Sequence, residues 1–249
     1  MIMNNLHQPV LSIAGFDPTG GAGVLADIKT FEQLGIYGFG VITANTIQDE
    51  DNVYDIRWQP LVLILEQMDR LFRKHTIKYV KIGIIENDKT FSALKNHLVN
   101  YNPEIHIIWD PVLKSSSGYS IFNYGQSTQQ LLENVFLVTP NLPEFQRLFK
   151  DENEAVSLSH LLNIYLKGGH DTAQPGDDHL FNAGEKSTIR GLTTNVHEKH
   201  GSGCVLSSAI TAALAGGESL ENACRKGKNY TERFLASHPS LLGFHNKKN

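Results

Sequence analysis

The 249 residues are 41% hydrophobic and 19% charged, which supplies a sizeable core and excludes disorder as the dominant state. A net charge of −4 without a long run of either sign argues against a general affinity for nucleic acid or anionic membrane, and the longest apolar stretch, near 61–65, is far below the roughly 20 residues a bilayer needs. Two cysteines, Cys204 and Cys224, are too few for a disulfide framework or a four-cysteine zinc site, and residues 1–9 lack the basic-then-apolar order of a secretory signal, so a cytoplasmic protein is expected.

In chain order, residues 10–14 are a short apolar run ending in Gly15 and then Asp17-Pro18-Thr19-Gly20-Gly21. This predicts a buried strand feeding a glycine-rich turn. Ala22, Leu25, Ile28, Phe31 and Leu34 then recur every three or four residues, and Gly35 follows as a stop, the pattern of an amphipathic helix. Strands are predicted over 40–46 and 53–58, and a helix over 60–75, where Pro60 suits the first turn. The alternation continues with strand 79–84, helix 88–100, strand 106–109, helix 127–133, strand 136–138, helix 142–149 and strand 162–167. Such order predicts a mostly parallel sheet with helices on both faces. Short pieces at 179–181 and 186–192 follow, and helices over 203–215 and 220–237 close the pattern. No linker, repeat or low-complexity block divides the sequence, so residues 1–249 are expected to form a single domain.

Ligands of open parallel sheets bind beyond the carboxyl ends of the strands, and the unusual residues fall in those loops. Gly201, Ser202 and Gly203 lead straight into an apolar helix, where several N–H groups and the positive helix end can hold an anion, typically phosphate. Cys204 begins that helix, and the same field would favour its thiolate. Read alone, Gly-Ser-Gly before a helix is more often a plain turn and N-cap, and a buried cysteine is usually a small core hydrophobe, the class to which Cys224 is assigned. Asp110, before Pro111, is a Mg²⁺ ligand or a turn residue. Glu144, three residues after Asn141, reads as half of a capping pair. Lys167 ends an apolar strand ahead of two glycines and has little structural reason to be there. The eleven histidines lack metal-site spacing, and His200 reads as a surface loop residue.

Residues 12–31, from Ser12-Ile13-Ala14-Gly15-Phe16-Asp17-Pro18 to Lys29-Thr30-Phe31, continue the pattern with Val41-Ile42-Thr43-Ala44, Lys81-Ile82-Gly83, Asp110-Pro111-Val112, Thr139-Pro140-Asn141-Leu142-Pro143-Glu144, Lys167-Gly168-Gly169-His170 and Gly201-Ser202-Gly203-Cys204. Together they resemble the hydroxymethylpyrimidine/phosphomethylpyrimidine kinases of thiamine biosynthesis over residues 10–235. The resemblance implies a ribokinase-like fold and ATP-dependent phosphorylation, with Mg²⁺, of 4-amino-5-hydroxymethyl-2-methylpyrimidine, its monophosphate, or both. Position by position, it implies that Asp27, Gln48, Gly15 and Val112 form the pyrimidine pocket. Asn141, Lys167 and Lys228 belong to the ATP site, Glu144 and Asp110 to the metal, Gly201, Ser202 and Gly203 to the anion hole, and Cys204 is the catalytic base. Relatives of this kind are often dimers, which sets the expectation of a homodimer.

The sequence departs from that pattern at several points. Asp49-Glu50-Asp51 is unusually acidic beside the pocket, Ile84 replaces a methionine, and Ser202 replaces a threonine while keeping the hydroxyl. The 145–166 segment leaves room for at most a short helix, and the Gly-x-Gly-Pro tail is missing. Two other readings therefore stand beside the first: a pyridoxal or pyridoxine kinase of the same fold, and a non-catalytic pyrimidine-binding regulatory protein.

Overall fold

In this computed structural model, which describes residues 8–113, 122, 127–170, 176–192 and 196–245, the first apolar run becomes β1 (Val10–Phe16) and the periodic segment after it α1 (Gly23–Gln33). They are followed by β2 (Gly38–Gln48), β3 (Val53–Trp58), α2 (Leu61–Phe72), β4 (Tyr79–Ile82), α3 (Asp88–Tyr101) and β5 (His106–Trp109). Next come α4 (Thr128–Leu132), β6 (Leu137–Val138), α5 (Leu142–Leu148), α6 (Glu152–Leu158) and β7 (Asn163–Leu166). A short 3₁₀ turn, Gly168–His170, leads to β8 (Asp178–Asn182), β9 (Glu185–Ile189), α7 (Ser202–Ala215) and α8 (Leu220–Leu235).

All nine strands join one sheet in the order β3-β2-β1-β4-β5-β6-β7-β8-β9. Pairing is parallel from β2 through β7 and antiparallel for β3, β8 and β9. From β1 the chain builds outward to β2 and β3, then returns to β4 and builds the other way, so β1 and β4 flank a topological switch point.

Strand side chains alternate between two covered faces, as the pleat requires. Leu11, Ile13, Ile107 and Trp109 pack with Ile64 and Met68 of α2 and Phe91, Leu94 and Leu98 of α3. Ile108, Leu137 and Tyr165 point the other way, onto Leu206, Ile210 and Leu214 of α7. Helix α7 is buried nearly all round, lying between the sheet and helices α1 and α8, and its run of Ala, Val, Leu, Ile and small hydroxyl residues suits such a place.

Some boundaries differ from the sequence reading. β2 runs on to Gln48, because antiparallel pairing with β3 satisfies backbone groups beyond residue 46. β4 stops at Ile82, where Gly83 donates its N–H to Ile13 O (2.9 Å) and bends over β1. The compressed 145–166 segment still holds a helix, the seven-residue α6, which Asp151 caps through Glu154 N. Residues 190–192 lie outside β9, and α8 ends two residues early. Residues 238–245 fold back over the entry to α7: Leu241 O accepts from His200 N (2.9 Å), and His238 O accepts from Lys199 Nζ.

Candidate active site

The carboxyl ends of β1, β4, β5, β6 and β7 open on one edge of the sheet, and α7 starts there, packed across β1, β4 and β5. Two glycine contacts bring the loops together. Gly201 sits in the left-handed region (φ +75°), and a Cβ on it would stand 2.0 Å from Gly21 O; a Cβ on Gly23 (φ +60°) would stand 2.2 Å from Gly15 O. Only glycine permits both the dihedrals and the backbone approach. The β1–α1 loop is thereby pressed against the start of α7.

At the β5–β7 end, Lys167 Nζ lies 2.9 Å from Asp110 Oδ1 and 3.8 Å from Glu144 Oε2. It is also 3.2 Å from where a Cβ of Gly203 would be, so Gly203 leaves this ammonium an open face toward the loop. Ser207 Oγ donates to Asp110 Oδ2 at 3.2 Å. Burial acts against the charge on Lys167, but Asp110 and Glu144 outweigh it and raise its pKa. Burial likewise disfavours the Asp110 carboxylate, yet Lys167 and Lys81 hold it below the ordinary range. Glu144 goes the other way: burial raises its pKa against the pull of Lys167. Asn141 and Glu144 do form a capping box at α5, Glu144 N to Asn141 Oδ1 at 2.9 Å and Asn141 N to Glu144 Oε2 at 2.8 Å. The capping reading holds, and the capped carboxylate also faces Lys167.

On the pocket side, Gly15 lies under Ile84, whose Cδ1 would be 2.3 Å from any Cβ there, with Ala44 O 3.7 Å away. Gln48, half-buried at the end of β2, stands against Asp17. Asp17, which the sequence reading passed over, is buried and accepts from Thr19 N and Oγ1 (2.9 Å each), Ala22 N (2.8 Å) and His200 Nε2 (2.9 Å). Burial alone would raise its pKa; His200, Gln48 and Thr19 bring it well below the carboxylate range. His200, read as a surface residue, is thus a tie between the 199–203 loop and the β1–α1 loop. Val112 is half-buried beside Asp110, its N–H on Asp110 O (2.9 Å).

Three expectations need correction. Asp27 does not line an accessible pocket: its side chain is 0% exposed and its oxygens are taken by Lys81, Ser12 and Ser208. Cys204 does not have a lowered thiol pKa, because burial pushes it up to about 11 against the opposing pull of Lys81 and the Gly23 N–H, with Asp110 and Asp27 adding to the rise. Lys228, buried on α8, is engaged with Asp178 Oδ2 (3.0 Å), Glu232 Oε1 (3.8 Å) and Gly176 O. It ties α8 to the β8 end of the site, where Asp178 also accepts from Tyr165 OH (2.6 Å) and Gly168 N (2.6 Å). Cys224 is fully buried, its thiol raised further still. No helix among the described residues is long and apolar enough to cross a membrane.

A doubly covered sheet with its polar cluster at the β1/β4 switch point and a glycine loop at a helix start defines the ribokinase-like class of α/β proteins. A phosphomethylpyrimidine kinase from Clostridium difficile 630 superposes with a TM-score of 0.73 at 29% identity, covering 90% of this chain and 97% of that one. The fold is shared by a pyridoxal kinase from Staphylococcus aureus, at a TM-score of 0.77 and 24% identity over 92% of this chain and 88% of that one. The chain belongs to the phosphomethylpyrimidine kinase family, whose model, described as phosphomethylpyrimidine kinase, matches residues 17–248. Similar proteins include the hydroxymethylpyrimidine/phosphomethylpyrimidine kinases of Haemophilus influenzae (31% identical, 97% of this chain and 95% of that one) and Staphylococcus aureus (32%; 93% and 89%). The thiamine biosynthesis bifunctional protein ThiED of Geobacter sulfurreducens is 34% identical over 89% of this chain, which spans only 48% of that longer protein. The family makes the chain an ATP-using kinase.

Proposed function

We propose that the chain transfers the terminal phosphoryl group of ATP to the hydroxymethyl oxygen of 4-amino-5-hydroxymethyl-2-methylpyrimidine, to the phosphate of its monophosphate, or to both in turn. The observation that carries this reading is the convergence, at the start of α7, of a charged lysine held by two carboxylates with a glycine loop and the only half-buried thiol. Phosphoryl transfer asks a protein mainly for alignment and charge neutralisation. Gly201, Ser202 and Gly203 would orient N–H groups toward the migrating phosphoryl group, and Lys167 would meet the triphosphate. Gln48 offers an amide acceptor and donor to the aminopyrimidine edge. Cys204 would take the alcohol proton.

Asp110 and Glu144 suit Mg²⁺ as hard oxygen donors. Held by one or two carboxylates, this ion keeps water and substrate phosphates as its other ligands. Bound there, Mg²⁺ supplies charge neutralisation at the triphosphate. A homodimer and an activity in the cytoplasm are part of the same proposal.

ATP consumption measured with the hydroxymethylpyrimidine, its monophosphate and pyridoxal tests the reading. Turnover of either pyrimidine above that of pyridoxal is the expected result. Turnover of pyridoxal alone overturns the substrate, and pyrimidine binding without turnover leaves the regulatory reading.

A further inference from the structure

Beneath the start of α7 lies a cluster that the transfer reaction, as described, does not use. Asp27 of α1 and Lys81 of β4 form an ion pair with both side chains 0% exposed, Lys81 Nζ standing 2.9 Å from each carboxylate oxygen. Ser208 Oγ adds a bond to Oδ1 (2.6 Å) and Ser12 Oγ one to Oδ2 (2.5 Å). One carboxylate thus receives four bonds from three elements, β1, β4 and α7, and both serines are fully buried as well.

The spacing along the two helices is informative. Ser208 stands four residues after Cys204 on α7, and Asp27 four residues after Gly23 on α1, one helical turn in each case. Asp27 meets Ser208 one turn along from Gly23 and Cys204, so the bond joins the two helices just behind their first turns. Lys81 comes up between them from the strand at the switch point, and Gly83, two residues on, leaves it room: a Cβ there would lie 3.3 Å from Nζ. A buried ion pair seldom makes a fold more stable than apolar residues of the same shape would. What this pair provides is direction, since each of its partners is held at a fixed angle.

We propose that Lys81 and Asp27, with Ser12 and Ser208, are positioning residues that set where Cys204 and the 201–203 loop stand relative to the β1–α1 loop and its substrate. They act through Cys204 and touch no reactant. The inference rests on the kinase reading for its kinetic consequence and on the geometry alone for its structural one.

The test replaces both charges while keeping volume, Lys81→Met with Asp27→Asn, because either single change strands a buried charge and endangers folding. In the double variant, kcat should fall at least tenfold, KM for ATP should stay within about twofold, and the thermal midpoint should remain close to wild type. Hydrogen exchange at amides 201–205 should speed up at least tenfold with the sheet amides unchanged. Wild-type kcat in a folded double variant overturns the proposal, as does a lower kcat with unchanged exchange at 201–205. A wild-type protein inactive on every pyrimidine refutes the proposed function only; the exchange comparison then still decides whether the pair positions the loop.

Discussion

At the residue scale the sharpest consequence concerns Cys204. With its thiol raised to about 11, the group is protonated at neutral pH, and the thiolate fraction grows tenfold per pH unit until that value is reached. If Cys204 takes the alcohol proton, kcat should climb nearly tenfold per unit from about pH 7 to about pH 9, and a flat profile would show that the proton leaves by another route. Cys204→Ala should lower kcat by roughly 10²–10⁴ with a midpoint near wild type; an active but destabilised variant would return Cys204 to the status of a packing residue. Gln48→Ala, by stranding one ring group, should raise substrate KM by about 1–3 kcal/mol of lost binding and leave ATP affinity unmoved. Lys167 was legible as a candidate because a lysine ending an apolar strand ahead of two glycines has little structural reason, whereas Asp110 before Pro111 read equally as a turn residue. Asp17 and Asp27 were not separable in that way, since a sequence records an acid but not whether its partners are a ligand or the protein. The partners of Asp27 did leave a trace: Lys81 in Tyr79-Val80-Lys81-Ile82 and Ser208 inside an apolar helix are polar residues where burial is expected.

Among elements, the start of α7 depends most on its exact backbone. Alanine at Gly201 meets two penalties, the left-handed dihedral at about 1–2 kcal/mol and an overlap with Gly21 O at 2.0 Å that only movement of the loop can relieve. Gly35, which ends α1 at φ +78° with nothing within 4 Å of a Cβ, carries the first penalty alone. Gly35→Ala should therefore lose about 1–2 kcal/mol in denaturant melts and stay fully active, whereas Gly201→Ala should lose more and drop activity at least a hundredfold. Equal losses in the two would mean that the approach of Gly201 to Gly21 is not what forms the loop. The helices themselves were readable, because amphipathic spacing over three turns is a strong signal. Helix α6 was not, for a seven-residue helix is held by its Asp151 cap and by packing rather than by period.

For the molecule as a whole, alternation of strand and helix predicted the parallel sheet, while the three antiparallel pairings at its edges are set by contacts far apart in sequence. The segment 238–245 is such a long-range feature. His245 Nδ1 faces Tyr230 OH at 2.9 Å, its ring stands 4.8 Å from Phe234, and burial, helped by Lys29, brings its pKa down to about 4. The folded protein thus keeps His245 neutral where the unfolded chain protonates it, near pH 6.5. Stability should fall as pH drops from about 6.5 to about 4. Thermal midpoints taken through that range should decline less in His245→Phe than in wild type, and parallel declines would exclude His245 as the cause.

The same segment decides how well the start of α7 is held. A chain cut after Ser237 keeps every described strand and helix, yet His200 N and Lys199 Nζ lose Leu241 O and His238 O, and Gly21 loses the cover of Leu242. The 199–203 loop is therefore held by a stretch that lies beyond α8, so a chain without that stretch would be folded but with the loop released. A chain stopped after Ser237 should show the circular dichroism of the full protein, expose the 199–203 peptide to protease and bind ATP weakly; ATP binding at full strength would show that the loop stands without its strap.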